Sequence, residues 1–291
     1  MKYMNIAITG ANGLVGSRIV ELLRDEFTFI PLNHSEVDIT DQKQVHKKLN
    51  DIDFDLLLHM AAYTNVDKAE EEKIIAHKLN VDATKYLFNE VHTLNKKMIY
   101  VSTDFVFDGK NPPFDENSKP NPVGYYGQSK YDGELVLEKK AMVVRITYPY
   151  GNTKSKKCHP ELDSGSRKKL VKQDFVQKIR SYLANDKSLS MVTDSLMTPT
   201  YIDDITLALK YLMNNFSPEI FHIIGSKSYS PFEAGKMIAE HYQLPEWLIQ
   251  PTTFEEYSKG KSPRPQFAET KSIKNTFYEM RSFGEGLQYL T

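Results

Sequence analysis

Met4-Asn5-Ile6-Ala7-Ile8-Thr9-Gly10-Ala11-Asn12-Gly13-Leu14-Val15-Gly16 decides the fold. A short apolar run leads into three glycines spaced Gly-x-x-Gly-x-x-Gly. Leu14, Val15, Ile19, Val20, Leu22 and Leu23 then recur at helical spacing. Strand, tight turn and helix follow in the order a dinucleotide-binding unit requires. The glycines let backbone amides approach a pyrophosphate, and the helix N-terminus favours the anion. Gly10, Asn12, Gly13, Leu14, Val15 and Gly16 are therefore the first candidate cofactor contacts.

The periodicity continues outward from this turn. Apolar runs predict strands over 4–9, 27–32, 55–60, 97–102 and 142–147, with helices over 14–25, 41–49, 66–92 and 123–139. Such alternation implies an α/β fold with a doubly wound parallel sheet of Rossmann type. Near-continuous apolar strands such as Asp55-Leu56-Leu57-Leu58-His59-Met60 fit burial on both faces. After residue 150 the pattern loosens. Helices over 173–185, 203–215 and 231–243 mix with short strands over 188–192 and 219–224. The expected organisation is a dinucleotide-binding domain over 1–150. A smaller, mainly substrate-binding lobe covers 151–291, with some elements returning to the sheet.

Composition bounds the function. The 291 residues suit one two-lobed unit with ample core. A net charge of −1 gives no sign of a nucleic-acid partner. The lone Cys158 makes no internal disulfide, which fits a reducing compartment. No run approaches the roughly 18 apolar residues of a membrane span. The expectation is a soluble, cytoplasmic protein. Its histidines are scattered without metal-ligand spacing, so no metal site is expected.

The second strand ends in Asn33-His34-Ser35. A carboxylate selecting for NAD at the ribose is missing there, and so is an arginine for a 2′-phosphate. This reads as NADPH, or use of both NADPH and NADH. Asp38 and Ile39 fall where an adenine contact is expected.

Tyr126 and Lys130 stand four residues apart on a predicted helix and share one face. A phenol titrating near 10 is a poor acid at neutral pH. A nearby cation lowers that value and makes the phenol a proton donor for a carbonyl. The fourth strand ends in Ser102-Thr103-Asp104-Phe105-Val106-Phe107-Asp108-Gly109, at the carboxyl edge of the sheet. A hydroxyl, a tyrosine and a lysine in that order resemble the extended short-chain dehydrogenase/reductase family. The Ser102–Gly109 segment is similar to a signature of the dTDP-4-dehydrorhamnose reductases.

Other segments agree with that resemblance. Met60-Ala61-Ala62-Tyr63-Thr64-Asn65-Val66-Asp67-Lys68-Ala69-Glu70, Asn80-Val81, Arg145-Ile146-Thr147-Tyr148, Asp194–Asp204 and Arg264-Pro265 are similar to family segments in the same order. The resemblance implies a reductase passing hydride from NADPH or NADH to the C4 ketone of a nucleotide-linked 6-deoxy sugar. The product implied is dTDP-L-rhamnose. Thr103, Tyr126 and Lys130 would be catalytic. Ala61, Ala62, Tyr63, Tyr126 and Lys130 join the cofactor contacts, and Lys130 would also lower the Tyr126 pKa. Thr103, Asp104, Tyr148 and Arg264 would face the substrate, Arg264 as a fork for its diphosphate. The residues leave open a homodimer, another nucleotide-sugar reductase or epimerase, and a non-catalytic subunit like the regulatory subunit of methionine adenosyltransferase.

Thr153–Lys172 departs from the family pattern. It replaces a short loop, carries seven Lys or Arg against two Asp or Glu, and shows no apolar periodicity. Its Cys158–Ser166 core resembles translated repeat elements inserted in some bacterial genes. A mobile inserted surface loop is expected. Deleting Thr153–Lys172 is predicted to leave cooperative thermal unfolding intact; a broad, non-cooperative transition in the deletion variant would refute this.

Overall fold

A computed structural model describes residues 3–151 and 173–291. The inserted segment 153–172 lies outside the described residues. The chain begins with β1 (Met4–Thr9), α1 (Leu14–Leu23), β2 (Phe27–Leu32), α2 (Gln42–Asn50) and β3 (Leu56–His59). Helices α3 (Val66–Glu71), α4 (Lys73–His77) and α5 (Ala83–Thr93) precede β4 (Lys97–Thr103), α6 (Tyr125–Leu135), β5 (Met142–Ile146) and β6 (Pro149–Tyr150). Then come α7 (Phe175–Leu183), β7 (Leu189–Val192), β8 (Thr200–Tyr201), α8 (Ile202–Asn214) and β9 (Ile220–His222). The chain closes with α9 (Pro231–His241), β10 (Ile249–Thr252), α10 (Phe254–Ser258) and α11 (Phe283–Leu287).

Six parallel strands form the main sheet in the order β2-β1-β3-β4-β5-β9. Strand alternation splits its side chains between two cores. Ile6 and Ile8 of β1 join Leu56 and Leu58 under α1 and α8, with Ile19, Ile205 and Leu209. Ala7 and Leu57 point the other way, onto Val45 and Leu49 of α2 and Leu87 and Phe88 of α5. Helices on both faces make the sheet doubly wound, as expected. A third core gathers Tyr150, Val176, Leu183, Ile238 and Phe283 around α7, α9 and α11. Two short parallel ladders, β6 with β8 and β7 with β10, lie outside the main sheet.

The strand order reverses between β1 and β3, and open sheets bind ligands at such a point. Gly10 turns there at φ +72°, and a Cβ on it would stand 2.9 Å from the Ala61 amide nitrogen. His59 closes the crevice from below. Its Nδ1 meets Thr9 Oγ1 at 2.7 Å and its Nε2 meets Thr84 Oγ1 at 3.1 Å. Full burial pushes the imidazole pKa down to about 3, so it stays neutral.

One predicted helix is broken. The span 66–92 bends at Glu72 and contains a π-turn over Lys78–Asp82. The π-turn carries buried Asn80, whose amide accepts from Tyr63 N at 2.8 Å and donates to Ser129 Oγ at 2.9 Å. That wide turn thereby ties the segment after β3 to α6. The predicted strand over 219–224 becomes β9 and extends the main sheet beside β5.

α1 sits close to the turn that starts it. A Cβ on Gly16 would fall 2.3 Å from the Gly10 carbonyl oxygen. Gly16→Ala is therefore expected to lose about 1–3 kcal/mol of stability in denaturant titrations. An unchanged midpoint would show that no such close packing exists.

Candidate active site

The site is built by seating α6 against the end of β4. Lys130 Nζ donates to the Val101 carbonyl at 2.8 Å. Two residues further along the strand, Thr103 lies close enough to the Tyr126 phenol to draw its pKa down. Four helical residues advance about 6 Å and two strand residues about 6.6 Å. The i, i+4 pair on α6 is thus in register with an i, i+2 pair on β4, the helix running opposite to the strand. Gly127 permits the approach, since a Cβ there would meet the Phe105 carbonyl oxygen at 2.1 Å. The Tyr126 ring packs edge-on against Phe105 at 5.4 Å between centroids. Glu70 Oε1 accepts from the Tyr125 amide at 2.5 Å and so caps α6.

The electrostatics differ from the sequence expectation in one respect. Burial lifts the Tyr126 pKa to about 12, Thr103 pulls it back, and the Asp104 carboxyl adds to the rise. Burial also lowers Lys130 to about 7, opposed by Glu134. The lysine faces the Val101 carbonyl and lies 4.0 Å above the Tyr100 ring centroid. It does not lower the Tyr126 pKa, because its ammonium is spent on the strand and disfavoured by its own burial.

Asp104 is 2% exposed. Its Oδ1 accepts from Thr103 Oγ1 at 3.0 Å, whereas its Oδ2 has no hydrogen-bond partner among the described residues. Burial pushes this carboxyl up to about 7. Tyr148 follows β5 in the left-handed region at φ +34°, a costly backbone for a bulky residue. Burial and the charges of Asp104 and Tyr257 raise its phenol pKa, and Arg264 opposes them. The charge of Asp104, beside Thr103, thus acts on both the Tyr126 and the Tyr148 phenols. Arg264 acts on Tyr148 but pairs with Asp67 and donates to the Ser262 carbonyl at 3.1 Å. Its guanidinium is already engaged rather than free for an anion.

Arg145 is buried beneath the site. Its guanidinium holds Glu134 with two hydrogen bonds of 2.9 and 2.6 Å and meets His222 Nε2 at 3.4 Å. Burial and Arg145 push the His222 pKa down to about 4, against an opposite pull from Glu116. Glu134 had a sequence signal, standing four residues beyond Lys130 on the same helical face. Asn80 carried no sequence signal beyond its place in a family-like segment, and its link to Ser129 depends on the π-turn.

The glycine turn offers a cradle for an anion. Gly13 caps α1 without a side-chain acceptor, and no acidic residue occupies the first turn. The first amides of α1, from Leu14, Val15 and Gly16, therefore lack a side-chain partner at the cap. Asn12 Nδ2 donates to Asn33 Oδ1 at 3.1 Å, which places the two loops side by side. His34 and Ser35 are exposed beyond them. Asp38 spends its carboxylate on the Thr40 amide and hydroxyl at 2.9 and 2.7 Å. The Ile39 side chain belongs to the core. Ala61, Ala62 and Tyr63 are half-buried after β3, and the Tyr63 hydroxyl donates to Glu72 at 2.5 Å. Among the described residues no group of three or more His, Cys, Asp or Glu could hold a metal. No described helix is long and apolar enough to cross a membrane.

The family whose description reads "RmlD substrate binding domain" matches residues 4–290. The chain belongs to the RmlD family. This is the family of dTDP-4-dehydrorhamnose reductases within the extended short-chain dehydrogenases/reductases, and the chain is an oxidoreductase of that family. A probable low-salt glycan biosynthesis reductase from Haloferax volcanii is 31% identical over 80% of this chain and 78% of its own length. The methionine adenosyltransferase 2 subunit beta of Rattus norvegicus is 28% identical over 85% of this chain and 75% of its own. The Bacillus anthracis dTDP-4-dehydrorhamnose reductase, solved in complex with NADP, superposes with a TM-score of 0.87 at 28% identity. That match covers 99% of this chain and 98% of the solved one. As an RmlD-family reductase the chain acts on nucleotide sugars.

The buried ion pair gives a direct test. Arg145→Met strands the Glu134 carboxylate and should cost about 3–5 kcal/mol of stability in chemical denaturation. Adding Glu134→Leu should recover most of that loss. A single variant as stable as wild type would remove the pair from the support of α6.

Proposed function

We propose that this chain reduces the C4 ketone of a nucleotide-linked 6-deoxy sugar, converting dTDP-4-dehydrorhamnose to dTDP-L-rhamnose. The observation that carries this reading is the meeting of Thr103 and the Tyr126 phenol at the end of β4, with Lys130 one helical turn behind them. In this proposal the dinucleotide belongs to residues 1–150 and the sugar to the smaller lobe drawn from residues 151–291. The nicotinamide cofactor is NADPH or NADH, and the NADP held by the Bacillus anthracis reductase supports the former.

The glycine cradle suits this cofactor. Amides of Gly13, Leu14, Val15 and Gly16 would hold the pyrophosphate; Asn12, Asn33, His34, Ser35, Asp38 and the Ile39 backbone would line the adenosine end. Ala61, Ala62 and Tyr63 would border the nicotinamide half. When bound, the reduced nicotinamide supplies the hydride. The chain's own part is proton delivery and orientation. Tyr126 gives its proton to the oxygen at C4, where a phenol held neutral by burial is in the right state to donate. Thr103 orients the ketone. Lys130 holds the ribose hydroxyls, and the cofactor phosphates would favour its charged form. Asp104 and Tyr148 face the sugar, and Arg264 faces the diphosphate once exchanged from Asp67.

A second reading rests on the rat relative, a subunit of methionine adenosyltransferase by name. A dinucleotide-binding partner subunit would need neither a proton donor nor a ketone site. Co-purification with a synthetase, against NADPH oxidation with 4-keto nucleotide sugars, separates the two. On the enzyme reading, Tyr126→Phe should lower kcat by about 10²–10⁴-fold while leaving the cofactor Kd within about twofold. Near-normal turnover in that variant would end the acid assignment.

A further inference from the structure

We propose that Tyr100 is a positioning residue for Lys130, its buried ring face forming the seat of the ammonium. The role rests on the reductase reading above, in which Lys130 holds the cofactor ribose. Lys130 is 2% exposed and Tyr100 1%. The lysine Nζ stands 4.0 Å from the Tyr100 ring centroid and donates to the Val101 carbonyl at 2.8 Å. Glu134, the carboxylate one turn on, is turned to Arg145 instead, through two hydrogen bonds of 2.9 and 2.6 Å. A ring face attracts a cation through its quadrupole, and more strongly where water is excluded. It does so without locking the ammonium into an ion pair. The donors not given to Val101 stay available for a ribose.

The fold fits Tyr100 to this one lysine at both ends. Its hydroxyl donates to the Lys130 backbone carbonyl at 3.4 Å, while its ring meets the ammonium of the same residue. α6 comes this close because position 133 is glycine: a Cβ there would stand 2.5 Å from Tyr100 Oη. On β3 the paired residue is His59, whose ring centroid lies 5.5 Å from that of Tyr100. His59 adds no charge. Thr9 Oγ1 accepts from the Met60 and Ala61 amides, both at 3.1 Å, which uses its two lone pairs. Thr9 therefore gives its proton to His59 Nδ1, and Nε2 carries the imidazole proton toward Thr84.

The other charges around α6 are engaged elsewhere. Glu70 of α3 and Lys73 of α4 meet Tyr125 at the start of the helix. In the π-turn, Asp82 faces His77 and Lys78 acts on Asp38. Asp104 acts on the Tyr126 and Tyr148 phenols. Two groups are left to favour the charged lysine against its burial, the Tyr100 ring and the Arg145-held Glu134. Burial brings Lys130 down to about 7, and losing the ring should bring it lower still.

Two readouts separate this role from simple packing. In ligand-free protein labelled with ¹³C at the lysine ε-carbons, the Lys130 resonance is the one missing from Lys130→Met. Its inflection should fall by about one pH unit in Tyr100→Leu and stay within about 0.3 unit of wild type in Tyr100→Phe, which keeps the ring. NADP+ titrations give the second readout. At about pH 8, Tyr100→Leu should bind about tenfold more weakly than wild type; at about pH 5.5, where the lysine is charged in both, the two should agree within about twofold. An unmoved Lys130 inflection in Tyr100→Leu overturns the proposal, and so does an affinity loss equal at both pH values. A Tyr100→Phe inflection that falls with Tyr100→Leu overturns it too, since the hydroxyl would then be responsible. If Tyr100→Leu does not fold, a ring-fluorinated phenylalanine at position 100 decides: it keeps the shape, weakens the ring face and should lower the inflection below that of Tyr100→Phe. If wild type reduces no 4-keto nucleotide sugar, the reductase reading fails, while the ε-carbon titration still reports the seat of Lys130.

Discussion

Everything in the site hangs on how one helix lies against one strand. α6 delivers a phenol and an ammonium to β4 in register, Tyr126 at Thr103 and Lys130 at the Val101 carbonyl. The match is geometric before it is chemical. It needs a glycine where helix and turn nearly touch, and Gly127 supplies it against the Phe105 carbonyl. It needs a cap at the helix start, which Glu70 provides from α3. It also needs Asn80 to hold Ser129 from the π-turn.

Sealing such a helix into the interior carries an electrostatic cost. Lys130 is 2% exposed, and burial works against its charge. Glu134, one turn on, offsets part of that cost and is itself held by Arg145. The ion pair therefore serves the lysine as much as the fold. His222 and Glu116 extend the network to β9 and to the chain near Ser272. A charge cluster beneath the sheet edge thus links the reactive face to the C-terminal part of the chain.

Much of this architecture was legible in the residues. The strand and helix spans of the first half follow from apolar periodicity, which the core enforces directly. The glycine turn was legible for the same reason, because close backbone contact excludes any Cβ. The break at Glu72 and the π-turn at Asn80 were not, since both depend on partners across the fold. Nor was the direction of Lys130. Spacing places two side chains on one face but does not say whether an ammonium prefers a phenol or a backbone carbonyl. Nor was the place of Arg145: the resemblance of its segment to the family carried no sign of the buried pair it forms with Glu134. The resemblance supplied Asp104 as a substrate contact; its unpartnered oxygen could only be seen in three dimensions.

β9 carries a consequence for biogenesis. Five strands of the sheet are complete by Ile146, yet β5 receives its outer neighbour only from Ile220–His222. A nascent chain that has just emerged through β5 presents a bare row of amides and carbonyls beside Val143 and Val144, an invitation to pair with another chain. Translation must run on for about 70 residues before that hazard is covered. A ribosome stalled within that interval would hold a fragment able to collapse but not to finish its sheet.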